Sequence, residues 1–309
     1  MRDYLLPLSS YVIFMSKNMK FEVAGHLFAI ELPEKYAGEQ YLMAYRPFVS
    51  DSDKTPLFSL KVETVERLSA LNPGCKVDCF NEEPPYFWLF KTESGLLNFG
   101  FSYSKNHPDC YVFPDEAFEK AVLYVQESKA EAFLDFAISN AMMLLYTFRT
   151  NPYDTMLIHA SVTAIGDDAY VFLGKSGTGK STHSSLWLKH IEGTRLLNDD
   201  NPVIRVTDDG VWVYGTPWSG KTPCYKNERC ALRAVVRLSQ APYNRIERQS
   251  PLQAYASLMP SCSCMRWDSD SVGRLHSSVE KVLTRVPVYH LECLPDKDAA
   301  VVCCKAVRQ

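Results

Sequence analysis

Residues Gly174, Lys175, Ser176, Gly177, Thr178, Gly179, Lys180 and Ser181 fit the pattern Gly-x4-Gly-Lys-Ser/Thr. Glycines in such a turn let the backbone wrap closely around anionic oxygens, and N–H groups at a following helix start point at them. In a cradle of this kind Lys180 lies on the β- and γ-phosphates, the Ser181 hydroxyl lies on Mg²⁺, and Thr182 carries the cradle into the helix. The flanks meet the requirement. Residues 169–173 are a short apolar run that reads as a buried strand, and Leu186, Trp187 and Leu188 cluster on a helical repeat. The stretch predicts a nucleoside triphosphate site.

Phosphoryl transfer also needs a held metal ion and an acceptor hydroxyl that is oriented or deprotonated. Asp199 and Asp200 supply carboxylates about one helix and one strand after Ser181. Neighbouring side chains on a strand point to opposite faces, so both reach one site only at a strand end, which Asn201-Pro202 provides. One carboxylate is expected at Mg²⁺ and the other as base, and the residues alone leave the order open. The pairs Asp167-Asp168 and Asp208-Asp209 read as solvated turns. His159, on the strand before the loop strand, is either a satisfied core histidine or a group that donates to phosphate or tunes the acid. The loop from Gly215 through Trp218 and Gly220 to Lys221 would sit at the mouth of a sheet. There Lys221 touches phosphate or substrate, or is an ordinary exposed lysine.

The elements that must position these groups can be read in outline. From Met19 to about Tyr103 a mainly antiparallel sheet is expected. Its strand-like pieces are 20–32, 41–48, 56–63 and 76–80, then two aromatic strands flanking Glu93-Ser94-Gly95. Pro114-Asp115-Glu116 predicts a helix start, with Phe118, Val122 and Val125 on one face. A second helix is predicted over 129–148, closing near Pro152. This divides an N-terminal α+β domain, 1–150, from a C-terminal domain, 151–309. In the latter, 156–164 reads as one strand, and Thr207-Asp208-Asp209-Gly210 reads as a tight hairpin. Hairpins after the loop predict a mixed sheet, not a fully parallel one.

At 309 residues, 46% hydrophobic, 22% charged and net charge -3, the chain has the composition of a globular protein long enough for two domains. No basic excess predicts nucleic acid as a partner, and no lysine-arginine block predicts a lipid surface. The ten cysteines form no Cys-x2-Cys pair. Cys262-Ser-Cys264 and Cys303-Cys304 are the nearest approach to a metal or redox site, and buried free thiols are the expectation. The first eighteen residues are too short an apolar run to span a bilayer and lack a cleavage site. They read as an extra strand or as leader before a start at Met19, and the cytoplasm is the expected location.

His159, the Gly174 to Ser181 loop and Arg195-Leu-Leu-Asn-Asp199-Asp200-Asn201 together resemble the catalytic domain of HPr serine kinase/phosphorylases, over roughly residues 150–309. That family shares a mixed-sheet P-loop fold with ATP-dependent phosphoenolpyruvate carboxykinases, whose loops typically read Gly-x-Ser-Gly-Thr-Gly-Lys. The resemblance implies an α/β chain with ATP and Mg²⁺ as cofactors. It makes His159 the active-site histidine, Asp199 the catalytic aspartate and base, and Asp200 the acid beside Ser181 at the metal. Lys180 would neutralise developing charge. The glycine-rich segment that follows the aspartates in HPr kinases has no counterpart, because 215–221 has a different sequence, and the N-terminal half does not resemble that family. The implied activity is therefore a kinase for the hydroxyl of another protein, a peptide or a small molecule, with a homo-oligomer also compatible. A non-catalytic nucleotide sensor and a carboxykinase-like lyase are the alternatives.

Overall fold

A computed structural model describes residues 18–36, 41–81, 83–220 and 222–308. The expectation for residues 1–17 and the role considered for Lys221 lie outside the described residues.

The first eight strands are β1 (Asn18–Val23), β2 (His26–Glu31), β3 (Phe58–Val65), β4 (Cys75–Phe80), β5 (Tyr86–Lys91), β6 (Leu97–Ser102), β7 (Cys110–Pro114) and β8 (Lys120–Gln126). They form one sheet in the order β1-β2-β3-β8-β7-β6-β5-β4. It is mostly antiparallel, with β3 parallel to both β2 and β8. Helix α1 (Ala130–Thr150) follows and buries Leu134, Ala137, Ile138, Ala141 and Leu145 against this sheet.

Two expectations for this half fail. No helix starts at Pro114, which ends β7. Phe118, Val122 and Val125 have helical spacing, but Ala121, Leu123 and Val125 alternate into the core of β8, and burial of that period-two face decides the structure. Residues 41–48 are not a strand either, since Met43–Phe48 is a 3₁₀ turn with Pro47 inside it. Proline has no N–H for a ladder, and the turn sends Tyr45 and Phe48 into the core instead.

The second half comprises β9 (Thr155–Leu157), β10 (Ala160–Ile165), β11 (Asp168–Leu173), α2 (Lys180–His190), β12 (Thr194–Asp200), β13 (Val203–Thr207), β14 (Gly210–Tyr214) and β15 (Arg229–Gln240). Then come β16 (Arg245–Arg248), α3 (Pro251–Leu258), α4 (Ser269–Leu283), β17 (Val288–Cys293) and α5 (Lys297–Val307). The sheet order is β12-β10-β11-β15-β14-β13-β9, with β17 beside β15 and β16 beside β17. β15 is parallel to β11 and to β17, while the other pairings are antiparallel, so the sheet is mixed. One face packs on α3 and α4 through Val162, Val171, Leu258 and Val279. The other packs on α2 and α5 through Phe172, Trp187, Val236 and Cys303.

The strand expected over 156–164 is broken. β9 pairs with β13, whereas β10 pairs with β11 and β12, so the chain changes position at Ile158-His159. Its antiparallel neighbour breaks at the same level, between Asp200 and Val203, where Pro202 cannot donate and its carbonyl accepts from Ile158 N at 3.1 Å. A two-stranded ribbon therefore bends at His159 on one side and at Asp200-Asn201-Pro202 on the other.

The two sheets share apolar contacts, with Leu157, Val203 and Trp218 in the cluster that holds Phe28 and Tyr146. Polar bonds join them as well. His26 Nε2 lies 2.9 Å from Thr155 Oγ1, Arg205 donates to the Ala24 carbonyl at 2.6 Å, and Trp218 Nε1 donates to Tyr45 OH at 2.9 Å. Among the described residues no helix is long and apolar enough to cross a membrane.

Candidate functional site

The glycine-rich loop leaves the end of β11 and enters α2. Gly179 precedes the helix with φ of +108°, a conformation that favours glycine, and no side chain caps the helix. The N–H of His183 makes the first helical bond, to Gly179 O at 2.8 Å. The N–H groups of Lys180, Ser181 and Thr182 therefore precede the ladder. Lys175, Ser176, Gly177, Ser181 and Thr182 are exposed, while Gly174, Thr178, Gly179 and Lys180 are half-buried.

Lys180 turns back across the loop. Its ammonium donates to the Gly174 carbonyl and to His159 Nε2, both at 2.9 Å. On the other side of the imidazole, Nδ1 lies 3.0 Å from Asp200 Oδ1. With a charged lysine as donor, Nε2 must accept, which puts the proton on Nδ1 for Asp200 to receive. Burial lowers the affinity of Lys180 for its proton, and the charges of Asp200 and Asp199 oppose that shift.

Asp199 and Asp200 end β12 with opposite aspects, as neighbours on a strand must. Asp199 is buried, with Ser161 Oγ donating to its Oδ1 at 2.8 Å. Ser184, one turn after Ser181 on α2, lies 2.6 Å from the same serine hydroxyl. Since Ser161 gives its proton to Asp199, Ser184 supplies the proton of that bond. Asp200 is more open, and its Oδ2 accepts from Asn201 Nδ2 at 2.8 Å. The loop after β14 supports this end. Thr216 Oγ1 donates to Asn201 O at 2.7 Å and accepts from Asn198 Nδ2 at 3.0 Å, while Asn201 N donates to Trp218 O. A Cβ on Gly220 would lie 2.7 Å from Asp199 O, so this loop approaches the acids as closely as a backbone without a side chain allows.

The structure thus gathers His159, Lys180 and Asp200 into one hydrogen-bonded row, with Asp199 beside it on the α2 side. Sequence reasoning singled out 215–221 for its lysine, but the visible contribution of that loop comes from Thr216, Trp218 and Gly220. Ser161 and Ser184 were not anticipated, because a serine on a strand or helix carries no signal of its hydroxyl partner. All ten cysteines are free, with Cys110, Cys224, Cys230, Cys262, Cys303 and Cys304 buried and Cys75 exposed.

Two cavities border the loop. One, of about 630 Å³, is lined by His159, Lys175, Ser176, Thr178, Arg237 and Ser261. The other, of about 540 Å³, is lined by Thr178, Thr182, His183, Leu186, Leu238 and Leu294. His183 accepts from Trp187 Nε1 at 3.0 Å, while its buried Nδ1 has no partner. Burial holds its imidazole neutral, with a pKa of about 4.

Among the described residues no group of three or more His, Cys, Asp and Glu side chains could hold a metal ion. Mg²⁺ shared with phosphates does not require one, because it keeps several waters and takes one or two protein oxygens. The Ser181 hydroxyl and one carboxylate of the acidic pair are a donor set of that kind.

The chain matches no protein-family profile and no curated protein sequence. Among solved structures it is similar to an Hpr(Ser) kinase/phosphatase from Coxiella burnetii, at 12% identity and a TM-score of 0.30. The match covers 49% of this chain and 88% of that one. Similarity at this level carries no functional weight, and the contacts and the motif must bear it instead.

Proposed function

We propose that the chain is an ATP-dependent phosphotransferase of the HPr-kinase-like group, acting on a hydroxyl. On this reading 151–309 is the catalytic domain with a P-loop fold of the HPr kinase and carboxykinase type, 1–150 is a separate domain, and the protein works in the cytoplasm. The observation that carries the reading is the row Asp200–His159–Lys180 at the mouth of a glycine-rich loop. It joins a group suited to taking a proton with the lysine that the motif assigns to phosphate.

The loop from Gly174 to Thr182 would hold the triphosphate, with the α2 N–H groups and Lys180 on the β- and γ-oxygens. Mg²⁺, when bound, supplies charge neutralisation between phosphates, and Ser181 with one aspartate would hold it. The contacts favour Asp199 for that role, since its hydroxyl partners lead to the helix that carries Ser181, and they favour Asp200 as base. This exchanges the roles that the resemblance implied. The acceptor oxygen forms a bond to the γ-phosphorus, the bond from that phosphorus to the β–γ bridging oxygen breaks, and ADP leaves with the electron pair. The hydroxyl proton goes to Asp200, whose carboxylate His159 holds in place.

Calorimetry with ATP and Mg²⁺, followed by ADP production in the presence of candidate hydroxyl acceptors, tests this. Binding with turnover is expected, binding without any turnover would make the chain a sensor, and no binding would remove the proposal.

A further inference from the structure

A third cavity, of about 530 Å³, lies between the first sheet, α1 and the segment after α3, and the catalytic reading does not use it. Its walls come from both halves of the chain. Phe80, Phe87 and Phe101 come from the first sheet, Trp267 from the later segment, and Trp267 stacks on Phe80 with ring centroids 5.4 Å apart. Helix α1 adds Asn140, Met143, Leu144, Thr147 and Phe148, a stripe at spacings of three and four next to the one that packs the core. All five are only partly buried: Met143, Leu144 and Phe148 pack in part against the core, and the stripe as a whole leaves a partly open face toward the cavity.

Two observations tie the cavity to the proposed transfer site. Asn201 lines it, and Asn201 Nδ2 donates to Asp200 Oδ2, so the base is one hydrogen bond from the cavity wall. Leu157 and Ser263 also line it, and their backbones are bonded at 2.8 Å, while two residues away along each of these two segments His159 and Ser261 line the loop cavity. Asp200 and His159 therefore stand between the two spaces. Among the described residues Arg266 is the one charged group in the lining, it is exposed, and it has no acidic partner there. The volume suits a small molecule.

We infer that this cavity between the two sheets binds the phosphate acceptor, and that the acceptor is a small hydroxyl-bearing acid with an aromatic or bulky apolar body. The inference rests on the phosphotransferase reading for the word acceptor, but not for the binding chemistry. The ring walls and α1 stripe take the apolar body, Arg266 pairs with the carboxylate at the rim, and the hydroxyl faces Asn201 and the Asp200 side.

The test uses the full chain and two probes, 3-(4-hydroxyphenyl)lactate and its neutral counterpart 2-(4-hydroxyphenyl)ethanol, with binding read by calorimetry and by saturation-transfer NMR. The acid should bind about tenfold more tightly than the alcohol, and Arg266→Gln should abolish that preference while keeping the alcohol. Leu144→Trp should fill the cavity and remove both probes with ATP affinity unchanged. Equal binding of the two probes, an unchanged preference in Arg266→Gln, or absence of both probes at millimolar concentration would overturn the inference. Binding of the acid by a chain that does not bind ATP would keep this site and remove the kinase reading.

Discussion

The imidazole of His159 connects Asp200 to Lys180, with Nδ1 3.0 Å from the carboxylate and Nε2 2.9 Å from the ammonium. The loop lysine is therefore held by a neutral ring and the Gly174 carbonyl, both of which an incoming phosphate can outcompete by charge.

Lys180→Ala should weaken ATP binding by more than about tenfold, or about 1.4 kcal/mol, without loss of fold. His159→Ala should bind ATP nearly as wild type but lose about 10² or more in turnover, because Asp200 is no longer held. Calorimetry and steady-state rates on the two variants check this pattern. A similar fall in affinity for both would mean that His159 acts only in binding.

Stability should decline as pH falls, and two buried histidines account for part of it. Burial lowers the pKa of His26 to about 3 and that of His183 to about 4, from 6.5. Below pH 6.5 the unfolded chain binds protons that the folded chain refuses, so each ring removes up to about 1.4 kcal/mol per pH unit. The loss begins near pH 6.5 and ends near pH 4 for His183 and near pH 3 for His26. Urea midpoints followed from neutral to acid pH should show the decline. His183→Gln should reduce its slope by about one such contribution, and an equal slope in that variant would show that the ring accepts its proton when folded.

The loop and α2 were legible because their information is local: glycines, lysine and serine at fixed spacing between a strand and a helix. The site needed more than local signals. His159 lies in a break that its own residues do not announce, since Met156 to Ala164 reads as one strand and only the divergence of β13 from β12 at Pro202 splits it. β8 shows the opposite problem. Val122 and Val125 satisfy a helical period, and the decision for a strand comes from β3 and β7 on either side. The α1 residues facing the third cavity lie within the helix predicted over 129–148, yet nothing in the helix says that its neighbour leaves space there.

Trp218 joins the loop after β14 to the first sheet, and truncating it should act on both stability and turnover. The residue is 2% exposed and packs edge-on against Tyr45 and Tyr146. Trp218→Ala should cost about 3–5 kcal/mol in denaturant unfolding. Trp218→Phe keeps the ring contacts, leaves Tyr45 OH without its donor and should cost about 1–3 kcal/mol. If the two variants unfold alike, the indole N–H rather than the packing dominates.

Gly220→Ala tests the support beneath the acids. The new methyl would lie 2.7 Å from Asp199 O and 3.2 Å from Asp200 Cβ, so the loop or the strand end must shift. A displacement of about 1 Å at a reacting group can cost 10²-fold in rate. Turnover should fall while the melting temperature and ATP affinity change little, and an unchanged rate would show that the loop yields instead of the acids.

The two aspartates should separate by function. Asp200 is bonded to His159 and to Asn201, and Asp200→Asn keeps shape and most of this hydrogen bonding but cannot take a proton. ATP with Mg²⁺ should still bind, and transfer should fall by about 10² to 10⁴. Asp199 is buried beside Ser161, whose hydroxyl is bonded to Ser184 on α2. Asp199→Asn should therefore raise the Mg²⁺ concentration needed for half-maximal binding, because one metal oxygen is lost. Ser161→Ala should produce a weaker form of the same effect, since it frees the Asp199 carboxylate without removing it. Measuring Mg²⁺ dependence and single-turnover rates on all three variants decides the allocation. If Asp200→Asn alters metal dependence and Asp199→Asn alters only transfer, the roles run the other way. If neither changes either quantity, the acidic end of β12 takes no part in the chemistry.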